Sequence, residues 1–97
     1  MKSLFLLIFL TFAAGCSSTS NFDTSTPEGS FKLAEKYEKD DRYEEAITQY
    51  NSVKNKHPYS KLATESELRI ADIYYKREEF VESQNAYQVF KELHPSH

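Results

Sequence analysis

Apolar positions along the chain follow two patterns. From Leu4 to Leu10 they form an unbroken run. Beyond Gly29 they recur at intervals of three and four, the period of an amphipathic helix. Leu33, Ala34 and Tyr37 share one helical face, with Thr26 as N-cap and Pro27 at the first helical position, where its missing N–H is harmless. Asp40-Asp41-Arg42 predicts a polar turn, because aspartate tolerates left-handed backbone better than most residues. Tyr43, Ala46, Ile47, Tyr50 and Val53 then line a second helix, which Pro58 ends. Ser60 is placed to cap a third helix running to about Lys76. A turn near Arg77-Glu78 leads into a fourth, from Phe80 to Leu93.

The pattern repeats at an offset of 37. Leu33 aligns with Ile70, Ala34 with Ala71, Tyr37 with Tyr74 and Tyr43 with Phe80. Tyr50 aligns with Tyr87, Val53 with Phe90, and His57-Pro58 with His94-Pro95. One offset that matches aromatics, alanines and a His-Pro pair marks an internal duplication. The sequence therefore predicts an all-α fold of two helical hairpins, residues 28–58 and 59–97.

Composition changes the picture mainly at the N-terminus. Lys2 precedes the apolar run and Thr11 to Gly15 are mostly small, the layout of an export signal over residues 1–15. The apolar stretch Leu4 to Ala14 is too short to span a bilayer, which takes about twenty residues. Beyond residue 15, eleven Lys and Arg face fifteen Asp and Glu. That acidic balance excludes the positive footprint that nucleic-acid binding needs. Seven of the thirteen residues from Ser17 to Gly29 are Ser or Thr, so residues 16–27 read as a flexible tether.

Cys16 is the only cysteine and cannot close an internal disulfide. Ala13-Ala14-Gly15-Cys16 resembles the bacterial lipobox, with Ala13 where leucine is usual. The resemblance implies that Cys16 becomes the acylated N-terminus. Stable anchoring needs more than one acyl chain, since each buried methylene contributes about 0.8 kcal/mol. With Ser17 after the cysteine, the same resemblance implies the outer membrane over retention at the inner one.

The spacing of Ala34, Tyr37, Ala46, Tyr50 and Pro58 resembles the tetratricopeptide repeat, an α-solenoid unit. Ser83 and Gln84 replace Ala46 and Ile47 in the second unit, which predicts looser packing there. Taken with the lipobox and tether, "KDDRYEEAITQY", "HPYSKLATESELRIADIYYKREEF" and "FKELHPSH" resemble the N-terminal portion of the BamD family of outer-membrane assembly lipoproteins. The resemblance implies a location at the periplasmic face of the outer membrane, anchored in the bilayer through acylated Cys16. It also implies two kinds of partner: BamA-like and other assembly subunits, and C-terminal segments of unfolded β-barrel proteins.

Helical spacing places Glu28, Phe31, Glu35, Glu38 and Lys39 of the first unit on a concave face. Glu65, Leu68, Asp72, Tyr75 and Lys76 of the second join them. Aromatics mixed with carboxylates suit an extended peptide, and Phe31 and Tyr75 are the expected exposed anchors. The alternative is an ordinary solvated helix face.

Other chemistry finds little footing. His57 and His94 occupy equivalent places in successive units, with no carboxylate or cysteine in sequence to complete a metal shell, and suit helix C-termini instead. Glu44-Glu45 and Glu78-Glu79 are neighbours that point apart, not a catalytic pair across a substrate. No catalytic residue, metal or cofactor is expected. The other roles compatible with this layout are a pilotin or scaffold lipoprotein for a secretin or pilus, and a truncated structural envelope lipoprotein. Two repeats form a thin core, and the apolar row Phe80, Tyr87, Phe90 and Leu93 predicts a further repeat or a covering partner.

Overall fold

The computed structural model describes residues 22–97, which form four helices. They are α1 (Pro27–Lys39), α2 (Tyr43–Lys56), α3 (Lys61–Lys76) and α4 (Phe80–Leu93). There is no strand among the described residues. The signal segment and Cys16 lie outside them, as does the first part of the tether.

Both first helices of the units start on a side-chain cap. Thr26 Oγ1 accepts from the Gly29 N–H at 3.0 Å, and Ser60 Oγ from the Leu62 N–H at 3.1 Å. The Thr26 cap is itself held. Its N–H and hydroxyl donate to the Asp23 carbonyl at 3.2 and 2.9 Å, and Ser30 Oγ donates to the Thr24 carbonyl at 3.0 Å. Residues 23–26, assigned by composition to the tether, thus fold back onto the first turn of α1. The second helices, α2 and α4, begin without a side-chain cap. Glu44, Glu45 and Glu82 in their first turns complement the helix dipole instead.

The two hairpin turns are closed in the same way. After α1, the Arg42 N–H donates to the Tyr37 carbonyl at 2.8 Å and the Asp41 N–H to the Glu38 carbonyl at 3.0 Å. After α3, Glu79 donates to Tyr74 at 2.9 Å and Glu78 to Tyr75 at 3.0 Å. These are Schellman bond pairs, and each satisfies two of a helix's terminal carbonyls. At the first turn the Arg42 guanidinium also lies over the Tyr37 ring, 4.8 Å from its centroid.

Consecutive helices pack on one another, and α1 also touches α3. Ala34 and Ala46 are fully buried, so α1 and α2 approach closely, which is what a small residue permits and a large one would not. Around them Phe31, Tyr50, Val53, Ala63, Ile70 and Ile73 form one core, with Tyr37, Tyr43, Ile47, Leu62 and Tyr74 packed against it. Full burial of a side chain such as Val53 or Ile73 contributes about 1.5–3 kcal/mol. The core is concentrated in α1–α3. Ser83 is the one buried residue of α4, at the position where the first unit has Ala46.

Phe31 departs from expectation. It is 7% exposed and sits in the core, edge-to-face with Tyr50 at 5.4 Å between ring centroids. Three residues before Ala34, it shares the stripe that turns into α2, so it cannot serve as an exposed anchor. The expected apolar row on α4 also divides. Phe80 and Tyr87 line one side of the helix, while Phe90 and Leu93 line the other.

Candidate functional site

The first helix of each unit, α1 and α3, supplies a concave face with two adjoining hollows. One, of about 380 Å³, is lined by Glu38, Arg69, Asp72, Tyr75, Lys76 and Tyr87. The other, of about 310 Å³, is lined by Glu35, Glu38, Lys39, Arg69 and Lys76. Six of the expected residues therefore converge: Glu35, Glu38, Lys39, Asp72, Tyr75 and Lys76. Leu68 is half-buried and lines neither hollow, and Glu28 is exposed on the first turn of α1.

Glu38 is the centre of the face. Its side chain is only 10% exposed, and charges from α3 hold it there. Lys76 Nζ lies 2.5 Å from one carboxylate oxygen, and Arg69 Nη1 lies 3.9 Å from the other. The buried Tyr50 hydroxyl, from α2, donates to that second oxygen at 2.8 Å. One carboxylate thereby ties three helices together. A nearly buried charge of this kind is stable only when paired and hydrogen-bonded. The hydrogen bond to Glu38 raises the Lys76 ammonium above its ordinary value. Burial, then the bond to Glu38, pushes the Tyr50 phenol far above the usual range.

Arg69 is a member of the site that its own charge pattern could have exposed. It stands 3.5 Å from Glu35 and 3.3 Å from Glu65, donates to the Tyr50 oxygen at 3.4 Å, and lies over the Phe31 ring at 5.4 Å. Arg69 follows Glu65 by four residues and precedes Asp72 by three and Lys76 by seven. That helical spacing is the signal. Tyr50 and Tyr87 gave no such sign, because as apolar-face positions they read only as core.

Tyr87 repeats the role of Tyr50 with a different acid. Its hydroxyl donates to Asp72, and burial followed by that bond pushes the phenol up to about 12. Tyr75, at 60% exposure, stands above this pair and meets Phe80 edge-to-face at 5.3 Å. The face thus has an exposed aromatic beside a floor of shared charges, an arrangement fitted to holding a peptide by stacking and polar contact.

The convex side differs. His94, at the end of α4, pairs through Nε2 with Glu67 of α3 at 2.9 Å, so a carboxylate does reach this histidine across the helices. His57 occupies the equivalent helix end on α2. Among the described residues no group of three His, Cys, Asp or Glu side chains stands together to hold a metal ion. None of the helices described is long and apolar enough to cross a membrane.

A family profile described as tetratricopeptide repeat matches residues 19–97. No curated protein and no solved structure matches the chain.

Proposed function

The chain belongs to the tetratricopeptide-repeat family, and from that premise we propose that it is a lipid-anchored binding module of outer-membrane β-barrel assembly, of the BamD kind. Proteins of this repeat family act as protein–protein interaction modules, and a non-catalytic role agrees with that. The finer reading takes its support from the sequence segments that resemble BamD and from the lipobox at Cys16. In this reading acylated Cys16 holds the repeats at the periplasmic face of the outer membrane. The concave face receives C-terminal segments of unfolded barrel proteins, and BamA-like or other assembly subunits dock on the repeats.

The observation that carries the binding role is Tyr75, exposed at the rim of a floor where Glu38, Arg69 and Lys76 share charge. An aromatic anchor over a polar floor can stack on a peptide side chain while the floor hydrogen-bonds to its backbone or pairs with its charged terminus. Fluorescence anisotropy with a labelled barrel C-terminal peptide tests it. Tyr75→Ala should weaken binding about tenfold. Equal affinity for both proteins would remove the groove assignment. Cell fractionation tests the anchor separately, because Cys16→Ala should release the protein from the membrane. Co-purification with a BamA-like subunit tests the assembly role.

A further inference from the structure

We infer that the junction between α2 and α3 is a membrane-contact surface, which lays Tyr59 and the flanking Lys56 and Lys61 on anionic lipid headgroups. The inference rests on the reading of Cys16 as a lipid anchor, and adds which end of the repeats meets the bilayer and through which side chains. Consecutive helices are joined by short turns and pack on one another, so they run antiparallel. The start of α1, the end of α2, the start of α3 and the end of α4 therefore share one end. The turns at 40–42 and 77–79 lie at the other. The chain enters the fold at the first of these ends. Cys16 and Phe22, the first described residue, are six positions apart, a span of at most about 20 Å. The far turns stand a helix length beyond that, about 21 Å for the 14 residues of α2.

At the near end Tyr59 is 101% exposed, the highest value among the exposed large apolar side chains described. It packs on nothing within the fold, yet its backbone is fixed. The Ser60 N–H donates to the His57 carbonyl at 3.0 Å, closing a turn with Pro58 and Tyr59 at its corners, and Ser60 Oγ caps α3. A tyrosine held outward in this way suits a boundary where the ring is apolar and the hydroxyl wet.

The charge pattern points to the same surface. Residues 55–61, Asn-Lys-His-Pro-Tyr-Ser-Lys, carry two lysines and no carboxylate. Both lysines are exposed, and neither makes an ion pair among the described residues. Asp23, Glu28 and Glu92 also lie toward this end, on the lead-in to α1 and the outer turns of α1 and α4, so the basic patch is the junction itself. The far end has the reverse sign: residues 40–45 hold four carboxylates against Arg42, and residues 77–82 hold three against Arg77. An anionic surface attracts the junction and repels the far turns. Two lysines are too few to recruit a protein from solution. Once acyl chains hold the protein, the contact is intramolecular and weak attraction suffices. Glu38, Tyr75 and Lys76 lie toward the far end, so a docked junction leaves the concave face open to peptide.

The chain has no tryptophan, so Tyr59→Trp and Phe80→Trp each place a single fluorescent probe, one at either end. The full chain is expressed in a Gram-negative host, purified in its acylated form and reconstituted in vesicles of phosphatidylethanolamine and phosphatidylglycerol. Tyr59→Trp should emit to the blue of Phe80→Trp and be quenched by lipids brominated in their acyl chains, while Phe80→Trp stays unquenched. Lys56→Gln with Lys61→Gln should lower the docked-to-free ratio read by this quenching about thirtyfold, and vesicles of phosphatidylcholine alone should weaken it too. These positions are exposed, so circular dichroism should show every variant folded. Equal quenching of the two probes, or quenching of Tyr59→Trp indifferent to the lysines, overturns the contact. Mass spectrometry of the purified chain judges the anchor apart. An acylated chain with Tyr59→Trp unquenched overturns the contact alone, and a chain without acyl groups overturns both.

Discussion

Asp41 and Glu78 stand 37 residues apart and share one backbone conformation, each with φ of 60°. Each is the residue after a helix's C-cap, where a Schellman closure puts the chain in the left-handed region that glycine adopts without penalty. For a residue with a Cβ that conformation costs about 1–2 kcal/mol, and glycine returns part of the gain through its freer unfolded chain. Glu78→Gly should therefore stabilise the fold by about 0.5 kcal/mol. Asp41→Gly should gain less. Aspartate tolerates the conformation, and its carboxylate accepts from the Tyr43 hydroxyl at 2.9 Å. Urea unfolding followed by circular dichroism would show whether Glu78→Gly exceeds Asp41→Gly.

Gly29 gives the opposite sign. It lies inside α1, where alanine is ordinarily the better helix former by about 1 kcal/mol. A Cβ at this position would meet the Asp23 carbonyl oxygen at 1.8 Å and its carbon at 2.5 Å, both backbone atoms. The turn that supports the Thr26 cap would have to move. Gly29→Ala should thus destabilise by about 1 kcal/mol, the typical worth of an N-cap. Thermal unfolding checks it, and a raised Tm would show that the Asp23–Thr26 turn contributes nothing.

Those two turns also indicate what the sequence could and could not disclose. Helix boundaries were legible because caps, breakers and the 37-residue offset agreed: Thr26-Pro27, Ser60, Pro58 and the paired turns each point to one boundary. Spacing misplaces Phe31 because apolar residues at the edge of an amphipathic stripe carry no mark of which helix covers them. Only the position of α2, with Tyr50 against it, decides that Phe31 is core. The fold-back of residues 23–26 is hidden in the sequence for a related reason. Ser, Thr and Asp read as tether by composition, yet the same residues are the best caps when a helix follows. On the concave face, spacing alone brought Glu35, Glu38, Lys39, Asp72, Tyr75 and Lys76 together. It did not reveal that Tyr50, an apolar-stripe residue, sends its hydroxyl through to Glu38.

Two phenols bonded to carboxylates, the buried Tyr50 and the partly buried Tyr87, predict an alkaline limit to stability. Tyr50 and Tyr87 hold their protons in the folded state to higher pH than an unfolded tyrosine, which loses its proton near 10. For groups raised in this way, the stabilisation is complete below the unfolded value and is lost as pH rises through the folded one. Tm should stay level up to about pH 10 and then fall. Tyr87→Phe removes one titrating phenol and should flatten the fall between pH 10 and about 12. Scanning calorimetry across that range measures the slope. A wild-type Tm that stays level to pH 12 would contradict the placement of both hydroxyls.

Glu38 should prove more costly to truncate than to neutralise. Removing its side chain leaves the buried Tyr50 hydroxyl with no acceptor and strips Lys76 and Arg69 of the carboxylate they share. An unsatisfied buried donor costs about 1–3 kcal/mol, so Glu38→Ala should lose about that much. Glu38→Gln keeps an amide oxygen where the Tyr50 bond needs one and should lose about 1 kcal/mol or less, chiefly the charge-assisted part. The pH profile separates this account from simple packing. With the negative charge gone, the Tyr50 phenol is raised less, so Glu38→Gln should soften the loss of stability above pH 10 even while lowering stability at neutral pH. Glu38→Ala and Glu38→Gln of equal stability, each with an unchanged alkaline limb, would place the carboxylate outside the network that joins α1, α2 and α3.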